Sequence, residues 1–161
     1  MKMMKNALVM ASVVALMTLA QLALSADAEA QGSHEANVLI VLAKEEAGTI
    51  DAALRNLPAL SRPPFNAFKT MELLERPTLT LEAGGESELV LPNDRKLRIE
   101  LVQVLPNGRF RVKVSIHRPD QGDYLPLLHV VASENDPFFI VGQAYRDGTL
   151  VIGVRIRADR G

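Results

Sequence analysis

The residues of this chain with the most chemical potential are three histidines, two pairs of loop carboxylates, and basic residues gathered on a few segments; there is no cysteine. Lacking cysteine, the chain has no thiol nucleophile, thiolate metal site, disulfide or lipid-bearing cysteine. A zinc site needs three or four converging ligands, and His34, His117 and His129 show neither H-x-H nor H-x₃-H spacing, so no metal is expected. His34 is expected in solvent, and His129, inside an apolar run, in the core. Asp120 and Asp123 flank Gly122, and Glu134 and Asp136 share the next turn. Such loops can hold calcium, but the twelve-residue EF-hand pattern is missing, and aspartates in turns usually serve the local backbone. No G-x-S-x-G, H-E-x-x-H, P-loop or G-x-G-x-x-G occurs, so no cofactor is expected. Gly84-Gly85 reads as a turn.

One constellation could support nucleophilic catalysis. A hairpin closed at Asn107-Gly108 would bring Ser115, His117 and Glu100 together. A triad needs its base between nucleophile and acid, whereas here Glu100 falls opposite Ser115 and His117 lies diagonal to it. A secreted or periplasmic hydrolase with a dispersed site near His117 and Glu100 is therefore only the alternative function.

Charge is unevenly spread. From Gln31 to Asp94 five bases face ten acids, a balance of −5; from Arg95 to Gly161 eleven bases face seven acids, a balance of +4. Arg98, Arg111 and Lys113 fall in one expected hairpin and Arg155 and Arg157 in another. These five are the candidate binding residues, suited to another envelope protein or an anionic envelope component. Alternatively they form a solvated face that resists edge aggregation, or are neutralised within the fold by Glu86 and Glu88. With a net charge of −1 and 4% aromatic residues, nucleic acid is not an expected partner.

These residues need elements to position them. Lys2 and Lys5 precede the apolar run Ala7–Leu24, and Ala26, Ala28 and Ala30 follow it. Residues 1–30 thus read as a signal peptide cleaved after Ala28 or Ala30. The run is shorter than the roughly 20 residues a membrane span needs and contains Ser12, Thr18 and Gln21. The chain is expected to be exported, periplasmic or extracellular, soluble, and without a membrane span after cleavage. A bacterial envelope is the expected setting. Residues 31–36 read as a flexible lead-in, and 37–161 as a single α+β domain of ordinary size.

Within that domain Val38–Ala43 is continuously apolar, as in a strand buried on both faces. Ile50, Ala53, Leu54 and Leu57 recur at helical spacing after an N-cap at Thr49, predicting a short helix that ends before Pro58. Ala67–Glu75 is readable as helix or strand, with strand preferred. A two-residue turn at Asn107-Gly108 would pair Leu105 with Phe110, Leu101 with Val114 and Ile99 with Ile116. A second hairpin at Asp147-Gly148 would match Val141 with Val154 and Phe139 with Ile156. It would also set Gly142 opposite Gly153, a notch to be filled by a packed side chain or a ligand. A looser hairpin around Gly84-Gly85 would align Leu81 with Leu89, and Tyr124–Ala132 is another strand.

The expected fold is α+β: a mostly antiparallel sheet or partly rolled barrel of about seven or eight strands with one short N-terminal helix. An outer-membrane barrel is disfavoured, because its aromatic girdles are missing. The expected function is an exported, non-catalytic binding or assembly module of the bacterial cell envelope, contacting its partner through a basic sheet face or a strand edge.

Overall fold

The computed structural model describes residues 32–158; the expected signal peptide lies outside them. The apolar run Val38–Ala43 sits within β1 (His34–Lys44), whose central residues are buried on both faces as expected. Strand formation begins earlier than the sequence suggested, so His34, Glu35 and Ala36 belong to β1 rather than to a lead-in. β1 pairs along almost its whole length with β9 (Gly148–Ala158), and β8 (Phe138–Tyr145) lies beyond β9. On its other side β1 carries β2 (Thr70–Glu75) and then β3 (Thr78–Leu81). The ambiguous segment is thus strand from Thr70. A second sheet is the meander β4 (Glu86–Val90), β5 (Lys96–Val104), β6 (Phe110–Arg118) and β7 (Asp123–Ala132). Every strand pairing is antiparallel. Neither sheet closes into a barrel.

Alternation along the strands explains how the sheets meet. Val38 and Ile40 of β1 and Leu150, Ile152, Val154 and Ile156 of β9 share one core with Leu97, Ile99 and Leu101 of β5 and Val112, Val114 and Ile116 of β6. The opposite face of β1 is apolar too: Leu39, Val41 and Ala43 pack with Val151, Met71, Leu54, Leu60 and Phe65. Residues 45–69 therefore form a cover over the outer face of the first sheet.

The expected helix in that cover is not formed. Ile50 forms a bridge with Met71; the Asp51 N–H donates to the Met71 carbonyl at 2.8 Å, and the Met71 N–H to the Thr49 carbonyl at 3.1 Å. With the backbone so committed, only a few residues remain before Pro58, too few for a helix to propagate. They close turns instead: Leu54 N–H to Asp51 O, Leu57 N–H to Leu54 O, and the Asp51 carboxylate accepting from Ala53 N–H. Short 3₁₀ turns follow at Pro58–Ser61 and Phe65–Ala67. Of the four apolar positions Leu54 is buried, at 1% exposed, Ile50 and Leu57 are half-buried against it, and Ala53 is exposed.

All three expected hairpin registers are revised. In the first, Leu101 pairs with Val112, Ile99 with Val114 and Leu97 with Ile116. A two-residue loop at Asn107-Gly108 would need an N–H from the residue preceding it, and Pro106 has none. Leu105 donates instead to the Arg109 carbonyl, giving the three-residue loop Pro106–Gly108 with Gly108 at φ 73°. A bulge at Val102 absorbs the odd residue. The shift near the centre is two residues, so Leu97–Leu101 and Val112–Ile116 keep their expected faces, whereas beyond the bulge Gln103 turns outward to Arg111 and Val104 inward opposite Phe110.

In the second hairpin the loop is Arg146-Asp147, with Arg146 at φ 51° and Tyr145 opposite Gly148. Gly148 belongs to β9, where a Cβ would lie 2.6 Å from the Ala43 carbonyl. Gly142 does not face Gly153. Phe139 does, and its ring occupies the space over that glycine. Around Gly84-Gly85 no hairpin forms: β3 belongs to the first sheet and β4 to the second. Gly84 N–H donates to Leu101 O at 2.7 Å, and Leu101 N–H to Gly85 O at 3.0 Å.

Candidate functional site

The five candidate bases do not share one face. Core residues alternate with them, so Arg98, Arg111 and Lys113 point outward from the second sheet, and Arg155 and Arg157 outward from the first. Arg98 of β5 meets two glutamates of β4: Glu88 Oε1 at 2.7 Å and Glu86 Oε2 at 3.3 Å. Its guanidinium also lies 3.7 Å from the centre of the Tyr124 ring, a cation–π contact. The Tyr124 hydroxyl donates to Glu88 at 2.5 Å. This bond and the one from Arg98 hold the Glu88 carboxyl below its ordinary range, while the Tyr124 phenol and Arg98 are pushed up by Glu88. Lys113 is 3.6 Å from Glu100. Arg157 pairs with Glu35 at 2.6 Å, which together with Asn37 lowers the Glu35 carboxyl. Acids of the first half thus pair with Arg98 and Arg157, and Glu100 of the second half with Lys113.

Arg111 and Arg155 differ from the other three. Arg111 donates to the Gln103 side chain at 3.0 Å and has no carboxylate partner among the described residues. Arg155 has a buried Nε with no acceptor among the described residues.

The residues of the catalytic alternative stand in a different register, with Lys113 rather than Ser115 opposite Glu100. Ser115 lies between Arg98 and Pro126 in the ladder and is 3% exposed. Glu100 pairs with Lys113, while the His117 ring stands edge-on to Tyr124, 5.2 Å away. His129 is exposed rather than in the core, opposite Lys113 on β6. His34, expected in solvent, packs edge-on against Phe110 at 5.1 Å with its Nδ1 buried. Asp123 forms a two-pronged pair with Arg118 across the 118–123 turn, lowering its carboxyl, so this loop is a structural closure. Among the described residues no group of three or more His, Asp or Glu could hold a metal ion.

A strand edge stands out instead. β7 pairs with β6 on one side, and no strand among the described residues pairs with its other side. Its residues Tyr124–Ala132 contain no Lys, Arg, Asp or Glu, although edge strands are ordinarily guarded by such charges. Leu125 is 43% exposed. Pro126 and the bulge at Leu127 interrupt the ladder at one end, leaving Leu128–Ala132 as the regular stretch, within which the Arg109 guanidinium donates to the Val131 carbonyl at 3.2 Å. Arg111 lies directly opposite Val131, so a base without an acid partner borders this edge. The apolar run of β7 was visible in the sequence, but its place at a sheet edge was not.

Among the described residues no helix is long and apolar enough to cross a membrane. No protein-family model, curated protein or solved structure matches the chain.

Proposed function

We propose that the chain is an exported, non-catalytic binding module of the cell envelope that adds an extended segment of a partner protein to the free edge of β7. The uncharged Tyr124–Ala132 edge carries this reading. Unpaired N–H and C=O groups along an edge supply affinity for an added strand, and its side chains supply selectivity. Arg111, beside Val131 and lacking a carboxylate partner, would receive an acidic residue of the incoming segment. The lysine-led apolar leader with its small-residue exit supports export.

The test is site-specific photo-crosslinking in the producing cell. A crosslinkable residue at Leu125 should capture a discrete partner, whereas one at Val102, comparably exposed on a bulge of β5, should not. Arg111→Glu should weaken the Leu125 adduct, and Leu125→Lys should weaken one formed from a crosslinkable residue at the exposed His129, each leaving the circular-dichroism spectrum unchanged. Equal capture at Val102, or adducts indifferent to both substitutions, would overturn the reading.

A further inference from the structure

On the outer face of the first sheet the apolar cover ends at a cleft of about 60 Å³ lined by Asn37, Leu39, Ala53, Leu57, Arg76 and Arg155. The strand register builds it. Asn37 and Arg155 are directly opposite on β1 and β9, and Leu39 is two residues further along the same face. Arg76 comes from the short link between β2 and β3, held beside β1 by the Val38 N–H donating to the Pro77 carbonyl at 2.8 Å. Ala53 and Leu57 are the rim of the cover. One side of the cleft is therefore cationic and the other aliphatic.

The cationic side is incomplete. Arginine nitrogens only donate, and a buried donor without an acceptor forfeits its solvation. The Arg155 Nε is such a donor. The carboxylate nearest in the register, Glu35, is already taken by Arg157 and by the Asn37 amide. Arg76 has no carboxylate partner among the described residues. Two arginines thus line a space that holds no acid among the described residues.

We infer that this cleft binds a short aliphatic carboxylate, its two oxygens taken by Arg155 and Arg76 and its alkyl end resting on Leu39, Ala53 and Leu57. A planar carboxylate matches the guanidinium fork in two-point geometry. A volume of this kind holds on the order of four water-sized spheres, enough for an acid of two to four carbons. The site is separate from the β7 edge, on the other sheet, and neither proposal depends on the other.

The probe is sodium propionate, titrated into the whole protein at ionic strength held constant with chloride, while the Arg Nε–Hε resonances are followed by NMR. Saturable movement of the Arg155 signal is expected, with propionamide and propylammonium inert and inorganic phosphate weaker. Arg155→Lys keeps the charge but loses the fork and should weaken binding about tenfold. Arg76→Ala, at an exposed link residue, should weaken it without threatening the fold, and Lys96→Ala, exposed on the second sheet, should leave it unchanged. Three results would overturn the inference: no saturable shift of Arg155, phosphate binding as tightly as propionate, or unchanged affinity in folded Arg76→Ala.

Discussion

At the scale of single residues, the outer face of the second sheet is organised by Glu88. Tyr124 and Arg98 both donate to it, from strands on either side of β6, so one carboxylate ties three strands together. Its pKa is lower folded than the ordinary glutamate value of 4.5. The unfolded chain therefore takes up its proton at higher pH than the folded chain. The stability contributed is fully present above about 4.5 and is lost as pH falls through the lower folded value. Glu35, Asp123 and Asp147 are shifted in the same direction. Urea midpoints should fall as pH is lowered below 4.5, and Glu88→Gln should lower the neutral-pH midpoint while making that decline shallower; parallel curves would disprove the role given to Glu88. The exposed setting of these groups keeps each effect small.

Gly153 makes a second prediction at this scale. A Cβ there would stand 2.5 Å from Phe139 Cε1, so Gly153→Ala should cost about 1–3 kcal/mol by overpacking. Combining it with Phe139→Ala should give a smaller loss than the sum of the two single losses, as coupled neighbours do. Additivity in denaturant melts would show that the ring does not fill that space.

At the scale of elements, the β5–β6 hairpin depends on its loop type. Gly108 at φ 73° occupies backbone space that costs a side-chain-bearing residue about 1–2 kcal/mol. Gly108→Ala should destabilise by that amount, with a smaller loss at Asn107→Ala, whose side chain only accepts the Arg109 N–H at 3.2 Å, because the three-residue loop places its left-handed residue at Gly108; a comparable loss at Asn107 would favour the two-residue turn, in which both residues are left-handed. The cover behaves differently. Its backbone bonds are mostly local i→i+3 turns, fastened by the Met71 bridge and by Leu54 and Leu60. Segments of this kind open below the global unfolding free energy. In native-state hydrogen exchange the amides of Leu54 and Leu57 should exchange sooner than those of β1 and β9, and Leu54→Ala should speed the cover further while leaving the strands protected. Uniform protection across both would contradict a separately opening cover.

At the scale of the whole molecule, β1 is the hub: it pairs with β9 on one side and with β2 and β3 on the other. Its main partner is more than a hundred residues away in the chain, so the first sheet cannot form before a large loop is closed. Long-range pairing of this type folds in milliseconds to seconds. Stopped-flow refolding should fall in that range, with Ile40→Val and Ile152→Val each lowering stability by about 0.5–1.5 kcal/mol. Microsecond folding would mean that local structure, not the β1–β9 pairing, limits assembly.

What the amino-acid order determined by itself was alternation and punctuation. The six-residue apolar run of β1 required burial on both faces, and period-two patterning assigned Leu97–Leu101 and Val112–Ile116 to the core. Side-chain faces in strands are a local property, which is why they survived a two-residue change of register. Tertiary structure decided what local rules leave open. Pro106 widened the Asn-Gly loop by a local rule of its own, whereas the other departures came from long-range contacts. Met71 claimed the backbone at Ile50 and Asp51 and so denied the cover its helix. Assignment of hairpins to different sheets split five bases between opposite outer faces and drew acids onto most of them. The carboxylate cleft and the β7 edge also lay beyond local reading. Each depends on which partner a strand acquires or lacks, and that is settled by long-range pairing.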